Sequence, residues 1–452
     1  MADKTKNIPT ITKIFKIFTI INADELATAL LLTLNGFLIM GAYYLVKPVR
    51  EGLILAGTGP EFRQYLSAAT VVLLIFVVKA FSHIASRFDR NRLIAWVTGF
   101  FIVNLVLFYI WYIAGGKELA ALGTVFFVWI GIFNVMIIAQ FWAFANDLYT
   151  QEAGQRVFVL VAFGVTFGAF AGSKTADWLI EPIGPSNLML VCGAVLMVCI
   201  ILTWIIHNRE KKPRGIEEKQ QQIDKNKPLK KGGGFRLVFK KRYLLYIALF
   251  VLLLNFINTN GEYILSRVIH QRATEAIQTN TANGLTEEAF ISNFYAGFYS
   301  YVNFLAWFIQ LFLVSRIFKW VGVRGALFFL PLISLGGYIA ISTGAALIVV
   351  KWAKILENST DYSLMNTTRH SLFLVTTREE KYKAKAAIDT FFHRAGDVFS
   401  AILVFLGTTF FMWKGESFAG FNIFLIVVWI AISVLIWKKH KELSRASSQI
   451  QD

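Results

Sequence analysis

The sequence predicts an all-α membrane protein with twelve transmembrane helices in two six-helix halves. Of its 452 residues, 56% are hydrophobic and only 16% are charged, against about 25% charged in an average soluble domain. The apolar residues form repeated runs of the roughly 20 residues needed to cross a bilayer. A long polar segment, residues 208–242, separates six of these runs from the other six.

The predicted spans follow one another from the N-terminus to the C-terminus, six before and six after the polar segment 208–242, an arrangement that resembles the major-facilitator transporter plan. Their centres lie near Leu34, Leu74, Leu105, Val135, Val165, Leu196, Leu252, Tyr301, Leu332, Leu356, Ile402 and Val428. The tenth span is the least hydrophobic. Residues 1–23 form a tail, in which an interfacial amphipathic helix and a disordered segment both agree with the composition.

Two similar halves are expected, residues 24–207 and residues 243–437. "GAYYLVK" at 41–47 ends the first span and "GEYILSR" at 261–267 ends the seventh, while "SRF" at 86–88 and "SRI" at 315–317 both open a basic turn. Matches in the same order in both halves support an internal duplication. The segment 208–242 is predicted to be a basic, flexible linker.

Lysine and arginine are concentrated in the linker, in the turns after the second and eighth spans, and in the C-terminal tail, residues 438–452. Such a bias is typical of loops on the cytoplasmic side. Both termini and the linker are therefore expected in the cytoplasm, at a bacterial cytoplasmic (inner) membrane. The same distribution explains the net charge of +17 without nucleic acid as a partner.

Enzyme chemistry is not indicated. The sequence has no phosphate-binding loop of the G-x-x-x-x-G-K-[ST] type. Its cysteines and histidines do not have metal-ligand spacing, and no nucleophile and base are arranged together. We expect no catalytic residues, no metal and no cofactor.

Charged residues at membrane depth are costly and usually face a bundle interior or a wet cavity. They therefore indicate the transport pathway, although the same charges can also pair with each other to hold the bundle, as expected for Lys174 and Asp177. Lys47, Arg50 and Glu51 can alternatively be explained as a helix end with cations reaching toward the interface. The candidates are Lys47, Arg50 and Glu51 at the end of the first span, Asn258 and Glu262 in the seventh, Lys351, Lys354, Asn358 and Asp361 in the tenth, and Asp389, His393 and Asp397 in the eleventh.

Three stretches resemble the nucleotide transporter family, the ATP/ADP translocases of plastids and obligate intracellular bacteria. They are "YYLVKPVREGLILAG", "QFWAFANDLYTQEAGQRVFVLVAFG" and "NSTDYSLMNTTRHSLFLVTTREEKYKAKAAIDTFF". The likeness runs from Leu26 to Trp437. It implies a twelve-helix transporter that exchanges ATP for ADP, or, as in other members, moves nucleotides with protons or carries NAD.

The resemblance places the family's cation of the first helix on Arg50, with Lys47 one turn earlier, and its acid of the seventh helix on Glu262. The family's lysine before "KAAID" falls on Lys383 or Lys385. The family also has an acid midway along the fourth helix, which residues 129–140 lack. A relative with a changed substrate therefore stays an open alternative to ATP/ADP exchange.

The leading hypothesis is a carrier for nucleotides or a related anionic metabolite that works by alternating access. Lys47 and Arg50 would meet phosphate oxygens, Pro48 would end the regular helix, and Glu51 would moderate binding or pair with a cation. Asp147 and Arg156, around the turn after the fourth span, are expected to form a cytoplasmic gate. Three tyrosines are candidates either to stack a purine or to pack the bundle: Tyr43, Tyr44 and Tyr263.

The alternative is a proton-coupled symporter of an unrelated small solute. Its proton relay would consist of three residues at steps of four: Asp389, His393 and Asp397. A scaffold or receptor without transport is the third class. In each case the lipid bilayer is a partner, and a monomer suffices.

Overall fold

The computed structural model describes residues 23–85, 90–115, 119–149, 151–209, 233–344, 346–377 and 379–448. Every regular element in these residues is helical, and the described residues contain no strand. The predicted all-α class is therefore confirmed. The N-terminal tail, most of the linker, Arg378 and the residues after 448 lie outside the described residues, and so do the predictions made for them.

The α-helices follow one another along the described residues. They are α1 (Ala23–Ala85), α2 (Arg90–Gly115), α3 (Leu119–Leu148), α4 (Gln151–Ile183), α5 (Asn187–Arg209), α6 (Gly234–Lys240), α7 (Arg242–Gln278), α8 (Glu287–Phe308), α9 (Val314–Ala326), α10 (Phe329–Ser342), α11 (Leu347–Thr360), α12 (Asn366–Leu372), α13 (Lys385–Ala387), α14 (His393–Thr409) and α15 (Gly415–Ser448). Wider π-helical turns connect several of them at Ile309–Leu313, Asp361–Met365, Glu380–Ala384 and Ile388–Phe392.

Helix α1 contains both of the first two predicted spans. Its 63 residues correspond to about 95 Å at 1.5 Å per residue, far more than the roughly 30 Å of a bilayer core. The helical geometry is interrupted at Gly59, with φ 84° and ψ 174°, a conformation that glycine adopts without steric cost.

The prediction that Pro48 ends the regular helix is wrong, because α1 continues through that residue. A proline inside a helix removes one backbone hydrogen bond. Neighbouring groups in a membrane bundle can compensate for that loss. The helical geometry is therefore interrupted at Gly59, where a positive φ is available, and not at Pro48.

Nine helical stretches among the described residues are long and apolar enough to cross a membrane. The first, Leu26–Val77, holds two predicted spans, and Phe329–Ser342 is apolar but shorter. The predicted tenth span coincides with α11 and the turns after it, outside this set. A multi-pass membrane protein is thus established, while the number twelve stays a prediction.

The chain divides into two compact units, each drawn from several stretches. Unit 1 comprises the described residues of Met1–Gly57, Leu73–Arg214 and Leu285–Asn303. Unit 2 comprises those of Thr58–Val72, Gly215–Gly284 and Phe304–Asp452. The borders run through α1 and α8, so the division into residues 24–207 and 243–437 stays a prediction from the sequence.

In unit 1, α4 packs closely against α1 through three glycines one turn apart. A Cβ atom at Gly164, Gly168 or Gly172 would lie 2.2–2.4 Å from the nearest atom of α1. Small residues at this spacing allow two membrane helices to approach at backbone distance. The first helix, which carries Lys47 and Arg50, is thereby held in place.

In unit 2, α7 packs along α14 and α15. Phe250 of α7 lies 5.3 Å from the ring of buried Trp429 in α15. Further along α7, Asn260 donates from Nδ2 to Oδ1 of Asn422 at 2.7 Å, and both side chains are fully buried. This packing fixes the face of α7 on which Asn258 and Glu262 lie.

Candidate functional site

The candidate residues of the first helix form a tyrosine–cation site in unit 1, defined by Tyr43, Tyr44, Lys47, Arg50 and Tyr299. Lys47 is buried, with 8% of its surface exposed. Its Nζ atom lies 3.9 Å from the ring centroid of Tyr299 and 4.8 Å from that of Tyr44. An ammonium group over desolvated aromatic rings is stabilised by about 2 kcal/mol. Lys47 is thus enclosed by aromatic rings and does not lie at an exposed helix end.

Arg50 and Glu51 form an ion pair directly beside this lysine. Arg50 Nε donates to Oε1 of Glu51 at 3.1 Å, and a terminal guanidinium nitrogen contacts the same oxygen. Glu51 has no exposed surface, whereas 14% of the Arg50 side chain is exposed. The guanidinium carbon also lies 4.6 Å from the ring centroid of Phe127. The more accessible member of the pair is therefore the cation, which leaves the guanidinium able to meet an anion.

Tyr299 brings α8 to this site, although it is far from the first helix in the sequence. The rings of Tyr44 and Tyr299 meet edge-on at 6.0 Å, and those of Tyr43 and Tyr44 at 5.1 Å. Edge-to-face rings at this separation form a stable, directional contact. Three tyrosines from two helices thus surround the ammonium group of Lys47.

A second group of charged and amide side chains, the α7–α11 cluster, lies in unit 2. Its members are Asn258, Glu262, Tyr338, Lys354, Glu357 and Asn358. The Lys354 side chain is fully buried. Its ammonium donates to Asn258 Oδ1 at 2.7 Å and to Glu357 Oε2 at 3.0 Å. A buried charge needs such partners, because desolvation otherwise costs several kcal/mol.

One helical turn further along, the same two helices make a second contact of the same kind. Asn358 donates from Nδ2 to Oε1 of Glu262 at 2.8 Å. Each contact therefore joins one charged side chain to one asparagine, and the charged partner is on α11 in the first contact and on α7 in the second. The predicted site residues Asn258 and Glu262 thus lie together, one turn apart on α7.

A glycine and a tyrosine complete the cluster. Tyr338 of α10 donates its hydroxyl hydrogen to Glu357 Oε2 or to the Ile257 carbonyl, each at 3.2 Å. A Cβ atom at Gly261 would lie 1.9 Å from that hydroxyl and 2.9 Å from Lys354 Nζ. Only glycine at this position lets both polar groups reach α7.

The acids of the eleventh span are paired with cations and amides. Asp397 accepts from Asn255 Nδ2 and from Thr259 Oγ1, both at 2.8 Å, and lies 3.5 Å from Arg394. Asp389 lies 3.6 Å from Lys385. A proton relay would need both acids close to the imidazole of His393. In the structure Asp389 instead pairs with Lys385 and Asp397 with Arg394.

Lys383 and Lys385, the two candidates for the family's lysine before "KAAID", have different partners. Lys383 donates to Glu379 at 2.7 Å, and its side chain is more buried than that of Lys385. Lys385 pairs with Asp389 as described. Both therefore lie in ion pairs within their own helical run, and neither belongs to the α7–α11 cluster.

The predicted gate pair is only partly described. Asp147 is exposed near the end of α3, and it has an interaction partner. The backbone of Arg156 continues α4, but its side chain lies outside the described part of the chain. The gate stays a prediction.

An ion pair lies just before the eleventh span. Lys241 contacts the carboxylate of Glu380, and the Thr377 N–H donates to Glu380 Oε2 at 2.9 Å. Burial alone would raise the pKa of Glu380. The Lys241 ammonium and the Thr377 N–H outweigh it and lower that pKa below its usual value.

Three residues of these sites were not among the predicted site residues: Tyr299, Tyr338 and Glu357. Glu357 follows Lys354 by three residues in the least hydrophobic span, a spacing that places both on one helical face, so it was detectable. Tyr338 is the single tyrosine of α10 and Tyr299 is one of three in α8, and the sequence contains no sign that distinguishes either from a packing residue.

Chemically, the two sites resemble binding sites more than reaction centres. Among the described residues there is no group of three or more histidine, cysteine, aspartate or glutamate side chains that could hold a metal. Buried cations whose partners are aromatic rings, amides and single carboxylates can exchange those partners for an anionic ligand. Such groups, on helices long and apolar enough to cross a membrane, are typical of a membrane transporter.

Comparison with known proteins identifies the family. Residues 32–362 match the model of the Major Facilitator Superfamily, so the chain belongs to this superfamily. It is a membrane transporter and not an enzyme.

The chain is also similar to curated proteins of chlamydiae. It is 25% identical over 356 residues to "ADP,ATP carrier protein 1" of Chlamydia trachomatis serovar D. The aligned region covers 70% of this chain and 65% of that protein. The protein of the same name from Chlamydia muridarum is 24% identical over 355 residues, with 70% and 64% covered. The chain thus matches slightly less than two thirds of the length of these relatives. The resemblance to this family is confirmed.

Solved structures of transporters share the fold. The nucleoside transporter NupG superimposes with a TM-score of 0.61 at 12% identity, covering 90% of this chain and 98% of NupG. The inward-open xylose transporter XylE from E. coli gives 0.60 at 12% identity, covering 91% and 96%. At this identity the likeness concerns the fold alone.

Proposed function

We propose that this transporter is a carrier for nucleotides or a closely related anionic metabolite, and that it works by alternating access. The observation that carries the proposal is the tyrosine–cation site. A nucleotide combines an aromatic base with a chain of anionic phosphates. The site combines aromatic rings with two cations, the buried Lys47 and the partly exposed Arg50.

The cations are suited to phosphate for physical reasons. A phosphate chain cannot enter a low-dielectric cavity unless cations replace its water. Arg50 has five N–H donors in a planar fork that fits two phosphate oxygens at once. Its present partner, Glu51, is a single carboxylate on the neighbouring residue. Phosphate oxygens would compete with that carboxylate for the guanidinium.

The α7–α11 cluster supplies the second part of the proposed pathway. Lys354 is held by Asn258 and Glu357, and Glu262 is held by Asn358. Lys354 and Glu262 each have a neutral amide partner, which a substrate can replace without leaving a bare ion behind. The names of the chlamydial relatives, ADP,ATP carriers, support a nucleotide substrate.

The proposal is wider than strict ATP/ADP exchange, because residues 129–140 contain no acid. In this segment α3 instead carries the amide side chains of Asn134 and Gln140. We therefore include related substrates such as NAD in the proposal. The proposed location is a bacterial cytoplasmic membrane with both termini in the cytoplasm. A reporter active only in the cytoplasm, fused after Asp452, tests the orientation, and a silent fusion would contradict it.

The deciding experiment is uptake of labelled ATP, ADP and NAD by proteoliposomes, with and without unlabelled nucleotide inside. Uptake of one of the three that requires internal nucleotide is the result expected for an exchanger. The Arg50→Ala variant should lose this uptake, while Arg272→Ala, which removes an exposed cation of α7, should retain it. Absence of uptake of all three compounds by well-folded protein would overturn the nucleotide proposal.

A further inference from the structure

A small cavity lies inside unit 1, between α1, α2, α3 and α5. Its polar lining consists of Asn35, Thr98, Gln140 and Thr203, and the remaining lining is apolar except for the thiol of Cys199. The centre of a water molecule can occupy about 20 Å³ of this space. A single water needs at least about 10–15 Å³ on the same measure. The cavity is therefore large enough for one water and too small for a nucleotide base.

Gln140 is the main reason to assign a ligand to this cavity. Its side chain lies in the apolar part of α3, with 6% of the residue exposed. Neither Nε2 nor Oε1 of Gln140 has a hydrogen-bond partner among the described residues. Buried amides are almost always hydrogen-bonded, to protein or to ordered water, and lipid offers no replacement for a missing partner.

Asn35 contributes a third unpartnered atom, and its orientation is determined by its neighbours. The Thr203 hydroxyl donates to the Cys199 carbonyl at 2.8 Å, so it can only accept from Asn35. Asn35 accordingly donates from Nδ2 to Thr203 Oγ1 at 3.0 Å. Its Oδ1 atom, in a residue that is 1% exposed, is left without a donor in the described parts of the chain.

The three atoms require two donors and one acceptor, since two of them are amide oxygens and one is an amide nitrogen. A water molecule offers two O–H donors and an accepting oxygen. An ion is a poor fit, because all the lining residues are uncharged. An apolar molecule would leave all three atoms unpaired.

We propose that this cavity is a binding site for one water molecule, which connects Gln140 of α3 with Asn35 of α1. The site is separate from the tyrosine–cation site and does not depend on which substrate is carried. Bridging water replaces a direct hydrogen bond at little cost. The bridge therefore links two helices of the unit through a contact that can break and form again.

The two cysteines of α5 provide an internal test. Cys199 lines the cavity, whereas Cys192, seven residues earlier in the same helix, does not, and both are buried with 3% and 0% exposure. X-ray radiolysis of the full chain in lipid nanodiscs generates hydroxyl radicals from bound water, and thiols beside that water are oxidised. Oxidation at each cysteine is then quantified by mass spectrometry.

We expect Cys199 to be oxidised several times faster than Cys192, and the difference to disappear in Gln140→Met, which keeps the side-chain length and removes the polar atoms. Equal slow oxidation of both thiols in the wild-type protein would overturn the proposal, and this comparison needs no variant. Unchanged oxidation of Cys199 in folded Gln140→Met would overturn the role of Gln140. Loss of Cys199 oxidation when saturating ATP is added would assign the cavity to substrate and also overturn the proposal.

Discussion

Neutralising Glu357 is the most direct test of the α7–α11 cluster. Lys354 is fully buried, and among the described residues Glu357 supplies the carboxylate that pairs with it, at 3.0 Å, with a side chain that is 6% exposed. The Glu357→Gln variant leaves the ammonium buried with Asn258 as its main partner. Removing one member of a buried ion pair typically costs about 3–5 kcal/mol of unfolding free energy, and we expect a loss in this range.

The double variant Lys354→Met/Glu357→Leu separates the charge effect from packing. It removes both charges and retains apolar volume, and such replacements are often neutral or even stabilising. Tyr338 keeps an acceptor, the Ile257 carbonyl. We expect the double variant to lie within about 1 kcal/mol of the wild type, so that it is about 2–4 kcal/mol more stable than Glu357→Gln alone.

The matched control is the ion pair of Arg272 and Glu275, which has the same three-residue spacing. Its side chains are 56% and 54% exposed, at an N–O distance of 3.1 Å, and exposed pairs contribute about 0–1 kcal/mol. The assay is unfolding of the full chain in mixed micelles by increasing SDS, followed by tryptophan fluorescence. If Glu357→Gln costs no more than Glu275→Gln, the charges of the cluster are solvated and our account of it is wrong.

Four further predictions concern transport and pH. Arg50→Ala should weaken binding more for ATP than for ADP, and least for adenosine, because the lost contact is to phosphate charge; equal losses in competition assays would make Arg50 structural. Glu262→Gln can still accept from Asn358 but loses its charge, and we expect uptake to fall at least about tenfold, or about 1.4 kcal/mol in the barrier, with normal membrane insertion as the control; unchanged uptake would assign Glu262 to packing. His393→Asn should leave uptake unchanged under both a pH gradient and a nucleotide gradient, since the recorded partners of Asp389 and Asp397 are Lys385 and Arg394; loss of the pH-driven part alone would establish a proton relay. The lowered pKa of Glu380 means that its ion pair stabilises the folded state above the pKa of an unfolded glutamate and ceases to do so as pH falls through the lower, folded value. Glu380→Gln should therefore reduce stability at neutral pH but not below that value, and a loss independent of pH would contradict this reading.

Much of the architecture was predictable from the residue pattern. The backbone N–H and C=O groups of a long apolar run need hydrogen-bond partners inside the bilayer. A helix supplies these partners from within the run itself. The fold class and the transporter family follow from that pattern and from the quoted motifs. The position of Glu262 on the same face of α7 as Asn258 follows from helical spacing alone.

Local rules were misleading at the end of the first span. Proline is the stronger helix breaker, so the sequence favoured a break at Pro48. In the structure α1 continues through Pro48 and the backbone changes direction at Gly59. The cost of one missing hydrogen bond depends on the neighbouring helices, and these are unknown at the level of the sequence.

The partners of the buried charges were decided by the tertiary structure. The sequence by itself determined that Lys47, Arg50, Glu262 and Lys354 lie in apolar helices and must be compensated. It did not determine that Tyr299 covers Lys47 or that Asn358 holds Glu262. Those contacts join residues 96 or more positions apart, and helical periodicity describes only which face a residue occupies. Which faces meet depends on how whole helices pack, and that is settled by many weak contacts acting together.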